Sequence, residues 1–300
     1  MNDGYLAIVN PHAAGGRCRD LFAPVLDRLK GAGVRIEVAE TKARAHASEL
    51  ARDAYRRGWR QFIAVGGDGT SYEIVNGLFP DAVGAEPPVL GFLPLGTGNS
   101  FLRDFTKGGV EGAMEALIAG RRHPCDVMRM RHRHGVAYYI NLLSVGFAAD
   151  VNEMRSHRFA RYGTTGYFLS IFTQLVKLHR RPFPVRVNEQ GDFDRRPCLF
   201  LTFNNSKFTG GTMMIAPDAR VDDGLIEYVR WGPIGRLGLI RNLSTLYDGT
   251  HTKHPLAERQ GVRRVDFDLS GKVDVMVDGE AESWHCETLD VLPSALRVVV

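Results

Sequence analysis

Three hundred residues are more than one small domain needs and enough for two. Hydrophobic residues make up 44% and charged residues 24%, which excludes wholesale disorder. The 38 basic and 34 acidic residues leave a net +4, short of what a dedicated nucleic-acid binder carries. Glycine is the outlier: 33 residues, with no collagen period or low-complexity tract to absorb them, against a usual share of about 7%.

Cys18, Cys125, Cys198 and Cys286 lie far apart and form no C-x-x-C pair. Neither a zinc site nor a disulfide framework is expected, and a reducing cytoplasmic setting fits. The opening MNDGYLAIVN lacks the basic and apolar regions of a signal peptide. The longest apolar-leaning stretch, Tyr167–Leu178, is interrupted by Ser170, Thr173, Gln174 and Lys177, and falls short of the roughly 20 apolar residues that span a bilayer.

In chain order, Tyr5–Val9 is a short apolar run, followed by Leu21, Val25, Leu26 and Leu29 at helical spacing. Val34–Ala39 alternates as a strand, Ala45–Arg57 reads as a helix, and Phe62–Val65 is a second apolar run. Helical patterns follow at Ile74, Val75 and Leu78, at Phe101–Phe105 and at Val110–Ala119, with the strand Val89–Leu93 among them. Short buried strands alternating with helices predict a parallel sheet covered on both faces. Beyond the polar stretch Arg129–His134, where the domain boundary is expected, the pattern changes. Ala137–Leu143, Phe183–Val187, Cys198–Phe203, Leu225–Val229, Val262–Leu269 and Val273–Val277 read as strands. Only Thr164–His179 and Pro233–Tyr247 look helical there, so an antiparallel sandwich or barrel is expected. The division is 1–130 and 131–300, with the final strand Ala295–Val300 able to pack on either domain.

Three glycine-rich loops each follow a predicted strand and precede a helix: Asn10–Gly16, Gly66–Thr70 and Pro94–Asn99. At the carboxyl ends of parallel strands, amide groups and helix dipoles can receive a polyphosphate. Asp68 sits inside the second loop, where a carboxylate would repel phosphate unless a cation or a transferable proton offset it. Mg²⁺ binding, proton transfer, or simple capping of the next helix are the readings open to it. Neither a Walker A sequence nor protein-kinase signatures occur, and no G-x-G-x-x-G follows the first strand.

These residues resemble the diacylglycerol kinase catalytic-domain family, which includes bacterial diacylglycerol and YegS-like lipid kinases, sphingosine kinases and ceramide kinases. The likeness runs through Ile8–Pro11, Val65–Gly77, Pro94–Asn99 and Asp126, then Gly146-Phe147, Pro217–Leu225 and Asp278-Gly279-Glu280. It implies an NAD-kinase-like α/β domain and a β-sandwich domain, with the active site in the cleft between them. It further implies transfer of the ATP γ-phosphate to a lipid hydroxyl with Mg²⁺. By motif position, Asn10, Pro11, His12, Ala13, Ala14, Thr41, Gly66, Gly67, Asp68, Gly69, Thr70, Ser71, Tyr72, Glu73, Gly96, Thr97, Gly98 and Asn99 would hold ATP. Asp68, Asp278, Glu280 and Asp126 would form the catalytic carboxylates, one of Asp278 and Glu280 serving as base. A structural Mg²⁺ would sit on Asp223 and the carbonyls of Arg220 and Leu225. Asp-Gly after an alternating strand is also an ordinary hairpin signal, so both acidic turns carry a purely structural alternative.

Two positions depart from the family. Ser100 replaces the Asp usual in bacterial diacylglycerol kinases, although sphingosine kinases tolerate a non-acidic residue there. In Gly146–Asn152 the residue that would pair with a sphingoid amine is the uncharged Asn152, with Asp150 and Glu153 off position, which leans the substrate toward diacylglycerol over sphingoid bases or ceramide. The Tyr167, Phe168, Ile171, Phe172, Leu175 and Leu178 stripe, flanked by Arg155, Arg158, Arg161, Lys177, His179, Arg180 and Arg181, reads as core or as a membrane-lying helix. The expected protein is a cytoplasmic lipid kinase in peripheral contact with the membrane; nucleic acid is not an expected partner, and a homodimer is compatible with the sequence. A catalytically silent nucleotide- and lipid-binding protein and a soluble kinase of the NAD-kinase type are the alternatives.

Overall fold

The computed structural model of the chain describes residues 4–96, 98–146 and 180–300. Two compact units emerge: Met1–Val127 together with Leu292–Val300, and Met128–Val291.

In the first unit β1 (Tyr5–Val9), β2 (Ile36–Glu40), β3 (Gln61–Gly66) and β4 (Val89–Pro94) run parallel in the order β2-β1-β3-β4. Between them lie α1 (Cys18–Gly31), α2 (His46–Arg56) and α3 (Asp68–Leu78), and α4 (Gly109–Ala119) follows. Unbroken apolar strands reflect a sheet covered on both faces: Ala7, Ile8, Phe62, Ile63 and Val65 are fully buried. One face packs Val9, Ile63 and Val65 against Phe22 and Leu29 of α1 and Leu117 of α4. Leu21, expected inward, is exposed, and Phe22 takes the core position. On α2, Ala47, Ala51 and Ala54 recur at helical spacing and are buried. Such small residues let α3 come close: a Cβ on its Gly77 would lie 2.9 Å from that of Ala51.

Strands dominate the rest. β5 (Arg122–His132) and β6 (Gly135–Tyr139) form a hairpin. Then come β7 (Leu142–Gly146), β8 (Arg181–Pro182), β9 (Val185–Val187), β10 (Pro197–Cys198), β11 (Phe200–Asn204), β12 (Phe208–Thr209), β13 (Met213–Met214) and β14 (Ile226–Trp231). α5 (Arg236–Asn242) and α6 (Thr245–Asp248) precede β15 (Ala257–Val262), β16 (Arg264–Phe267), β17 (Val273–Val277), β18 (Glu280–Trp284) and β19 (Cys286–Val299). One antiparallel sheet has the order β15-β14-β11-β7-β17-β18, while β16 lies between β9 and the first half of β19. The two layers face each other: Phe203 meets Phe267 edge to face at 5.4 Å, and the Tyr139 hydroxyl donates to the Phe203 carbonyl at 3.1 Å. An α/β unit followed by an antiparallel, sandwich-like unit is the fold class expected.

The polar stretch Arg129–His134, where the boundary is expected, begins on β5 just past the division of the units at Val127 and Met128: Met128 and Met130 alternate inward, and Arg129 is held by Asp290 at 2.8 and 2.7 Å. Two local expectations need correction. Ala137–Leu143 and Val262–Leu269 are each two strands, because the chain changes sheets at Ile140-Asn141 and at Arg263. Pro233–Tyr247 holds two short helices instead of one. The expected helix Thr164–His179 lies outside the described residues. The final strand is the end of β19, where Arg297–Val299 pair in parallel with Val89–Gly91 of β4.

Candidate functional site

All three glycine loops start at the carboxyl ends of parallel strands, β1, β3 and β4. The first leaves β1 with the Asn10 amide on the Val65 carbonyl at 3.0 Å, and the Asn10 side chain accepts from the His12 amide at 3.1 Å. After Pro11, a single tight turn covers Ala13–Gly16; Ala14 has φ +54° and Gly15 φ +68°, a left-handed conformation that glycine adopts without penalty. Thr41, just past β2, is tied to the same place: its amide donates to the Val9 carbonyl at 2.9 Å.

The second and third loops are interlocked. The Asp68 amide donates to the Gly98 carbonyl at 2.9 Å, and the Gly96 amide to the Gly66 carbonyl at 2.8 Å. Side chains would not fit: a Cβ on Gly67 would lie 2.8 Å from the Gly98 oxygen, and one on Gly96 2.6 Å from the Gly67 Cα. Glycine is therefore required here first by the approach of one loop to the other. The Asn99 side chain closes the third loop on the Gly96 carbonyl at 3.0 Å. Thr97 lies outside the described residues.

Asp68 is the hinge of this arrangement. Its two carboxylate oxygens lie 3.1 and 2.9 Å from the Ser100 amide, so it holds the chain leaving the third loop and does not cap α3. Burial pushes the carboxyl above its ordinary range, and hydrogen bonds from Ser100 and Phe101 pull it partly back. The carboxylate is half-buried and lines the pocket between the second and third loops, where it positions them. Gly69 and Thr70 begin α3, where Thr70 donates its amide to the Gly67 carbonyl at 3.0 Å, and Ser71 donates its hydroxyl to the Asp68 carbonyl at 2.8 Å. Tyr72 follows, its carbonyl accepting from the Asn76 side chain at 2.8 Å. The Glu73 carboxylate receives the amides of Ala45 and Ala47 at 2.8 and 3.1 Å and so caps α2. Asp126, on β5, is fully buried and accepts from the Ser294 amide at 2.7 Å.

In the second unit Asp278 and Gly279 form a two-residue hairpin loop between β17 and β18, with φ +45° and +88°. The ordinary reading of Asp-Gly is thus realised. The Asp278 carboxylate also accepts from the amides of Ile140, Asn141 and Leu142 at 3.1, 3.1 and 3.0 Å. Those are the residues where the chain passes from β6 in one sheet to β7 in the other, and no ladder can meet three consecutive amides at a crossover. Left unmet they would cost about 1–3 kcal/mol each. Asn205 and Ser206, unremarked in the sequence, brace the same crossover: Asn205 donates its amide and its side chain to the Asn141 and Ile140 carbonyls, both at 2.8 Å, and the Ser206 hydroxyl donates to the Asn141 side chain. The polar triplet Asn204–Ser206 at the end of an apolar strand is the signal that could have found them. Glu280, half-buried at the start of β18, stands two residues on from this clamp.

At the other acidic turn Gly224 has φ +70°, and the Asp223 side chain accepts from the Leu225 amide at 3.0 Å. Arg220 pairs with Asp222 at 3.8 Å. The turn thus offers one carboxylate, half engaged, beside carbonyl oxygens. Among the described residues no group of three or more His, Cys, Asp or Glu is gathered for a metal. A cation at this turn would have the Asp223 carboxylate and main-chain carbonyl oxygens as its donors.

A family model of the diacylglycerol kinase catalytic domain matches residues 4–130, and one of the YegS C-terminal NAD kinase beta sandwich-like domain matches residues 141–300. Diacylglycerol kinases of Staphylococcus aureus, from strains bovine RF122 / ET3-1 and MRSA252, are each 27% identical over 277 residues, covering 91% of this chain and 84% of theirs. A crystal structure of a Bacillus anthracis str. Sterne protein assigned as a diacylglycerol kinase superposes with TM-score 0.79 at 18% identity, covering 100% of this chain and 97% of that one. A second, of a diacylglycerol kinase from the same organism, gives 0.70 at 17% identity over 99% and 96%. Fold and loops together define a two-domain kinase with an NAD-kinase-like build. More narrowly, the chain belongs to the diacylglycerol kinase catalytic-domain family, with the YegS-type β-sandwich domain at its C-terminal side.

Proposed function

We propose that this chain is an ATP-dependent lipid kinase whose acceptor is the free hydroxyl of diacylglycerol. The observation that carries the reading is the interlocking of the second and third glycine loops around Asp68, at the strand ends where an α/β sheet takes its ligand. ATP, when bound, supplies the phosphoryl group. The first loop, with Thr41, and the amide-rich start of α3 fit a polyphosphate, since glycine backbone can approach phosphate closely there. Phosphoryl transfer asks mainly for positioning and charge neutralisation, and rigid loops give the first.

The acceptor hydroxyl must lose its proton as it attacks. Asp278 already receives three amides, which fill three of the about four acceptor sites of a carboxylate and stabilise its charged form, weakening it as a base. Glu280, two residues on, is assigned as the base, and its carboxylate oxygen takes the proton. Asp68 acts as a positioning residue through Ser100. The uncharged Asn152 supports diacylglycerol over a sphingoid base. The lipid acceptor also supports a cytoplasmic protein working against a membrane surface; among the described residues no helix is long and apolar enough to cross one.

The test is transfer of labelled γ-phosphate to a lipid panel with products identified by mass spectrometry. Diacylglycerol is expected to be converted to its phosphate, and Glu280→Gln to lower kcat by about 10²–10⁴-fold. Intact ATP binding with no product on any lipid would overturn the reading. Ser100 motivates one alternative, a nucleotide- and lipid-binding protein without turnover; absence of product that Ser100→Asp leaves unchanged would favour it.

A further inference from the structure

The segment Pro233–Tyr247 between β14 and β15 has two apolar faces, of which one serves the core. Ile234, Leu239 and Leu246 turn inward and pack with Phe200 and Trp231 on the six-stranded sheet, with Leu243 partly buried beside them. On the opposite side Leu237 is 71% exposed, Ile240 50% and Tyr247 42%. Leu237 and Ile240, three apart, share one side of α5, and Tyr247 is exposed on α6 beyond the turn at Leu243-Ser244. Large apolar groups left exposed on two successive short helices whose inner residues already pack in the core mark an interaction surface.

Its charge says with what. Pro233–Tyr247 contains two charged residues, Arg236 and Arg241, and no acid. The next acid, Asp248, has its carboxylate on the amide and hydroxyl of Thr250, at 2.9 and 2.5 Å. Lys253 follows within one turn, on Thr250–Lys253. Apolar anchors flanked by cations, with the adjoining carboxylate engaged, match the layering of a bilayer surface, anionic headgroups over acyl chain. A second copy of this chain fits less well, since a two-fold contact would set this cationic rim against itself.

We propose that the outer face of α5–α6 docks on anionic membrane, with Leu237, Ile240 and Tyr247 entering the headgroup layer and Arg241 facing lipid phosphate. The proposal rests on the lipid-kinase reading for its purpose, since a diacylglycerol acceptor resides in the bilayer, but it is measured without turnover. The full-length chain is mixed with vesicles of equimolar phosphatidylcholine and phosphatidylglycerol, or of phosphatidylcholine alone, and sedimented at low and high salt. Binding to the anionic vesicles is expected to fall about a hundredfold when Leu237→Asp and Ile240→Asp are combined. Arg241→Glu is expected to weaken it about fivefold or more and to flatten its salt dependence.

Because the double variant could be compromised in folding, Leu237→Trp provides a second reading. Its indole emission should shift to the blue on vesicle addition and be quenched by lipids labelled in the upper acyl chain, above the background of Trp59, Trp231 and Trp284, all buried. Wild-type protein that ignores anionic vesicles, a folded double variant that binds like wild type, or an introduced indole whose emission stays put while the protein sediments would each overturn the proposal. So would a solution dimer that Leu237→Asp dissociates, which would give the face to a second copy. Phosphorylation of a short-chain, water-dispersed diacylglycerol without vesicle binding would sink the surface and keep the kinase reading. Vesicle binding through this face without any lipid product would do the reverse.

Discussion

Asp68, half-buried, and Asp278, buried, are carboxylates that each receive backbone amides, one at a loop of the α/β unit and one at a hairpin of the sandwich-like unit. Asp68 faces the Ser100 amide with both oxygens, has Phe101 as a further donor, and is pushed upward in pKa by desolvation. Asp278 collects three successive amides from a sheet crossover. The first is costly to keep charged and holds one loop to another; the second meets three amides that the crossover leaves without a ladder partner. Two aspartates that look alike in a motif thus receive backbone amides to different structural ends.

That contrast can be broken most easily at Asp278. Asp278→Ala strands three amides and is expected to lower unfolding free energy by about 3–5 kcal/mol in urea titration; a loss under about 1 kcal/mol would refute the clamp. Next come the interlocked loops. Gly96→Ala places a methyl 2.6 Å from the Gly67 Cα, and a loss of about 2–3 kcal/mol is expected. Gly15→Ala meets no atom within 4 Å and suffers only its φ of +68°, so about 1 kcal/mol is expected. Equal losses from both would mean the loops are not locked together.

A smaller and sign-dependent effect is predicted for Asp68→Asn. A carboxyl whose folded pKa is raised binds more protons folded than unfolded, so its contribution to stability declines as pH rises from near 4 through the folded value, and is flat above. The amide variant should remove that decline and sit within about 1 kcal/mol of wild type at neutral pH, while phosphoryl transfer is lost; urea midpoints across the pH range check the slope. The smallest response is expected from the thiols. All four cysteines are buried, and burial pushes Cys286 up to about 12 and Cys198 to about 11. Native protein at pH 8 should react with a disulfide reagent about a hundredfold or more slowly than free cysteine in both units; rapid labelling confined to one unit would show that it opens alone.

The sequence was most readable where local chemistry and tertiary need coincide. Tyr5–Val9, Gln61–Gly66 and the glycine loops after them could be placed because buried parallel strands are continuously apolar and glycines have few other reasons to cluster. Legibility failed where the determinant is a partner distant in sequence. Ile140 and Asn141 carry nothing that says the chain changes sheets there; the reason is Asp278, and Arg263 is equally silent about its own change of sheet. β15, with its polar AERQ run, shows no alternation because it is the edge strand of its sheet, paired with β14. Glu73 belongs to the recognised motif, yet its carboxylate is occupied at the start of α2, a neighbour that spacing along the chain cannot announce. Asp222-Asp223-Gly224 shows the converse: a motif present by letter whose side chain meets its own turn.

The parallel sheet of the α/β unit also has a history in time. Its outer edge at β4 is completed by Arg297–Val299, which pair with Val89–Gly91 from about 200 residues further along the chain. At ribosomal speeds of about 5–20 residues per second, that edge waits on the order of 10–40 s after β4 has been made. During that interval the nascent protein presents an apolar strand with unpaired amides, the kind of template on which chains stick to one another. Yield in the cell should therefore be governed by what shelters β4 during translation as much as by the stability of the finished fold.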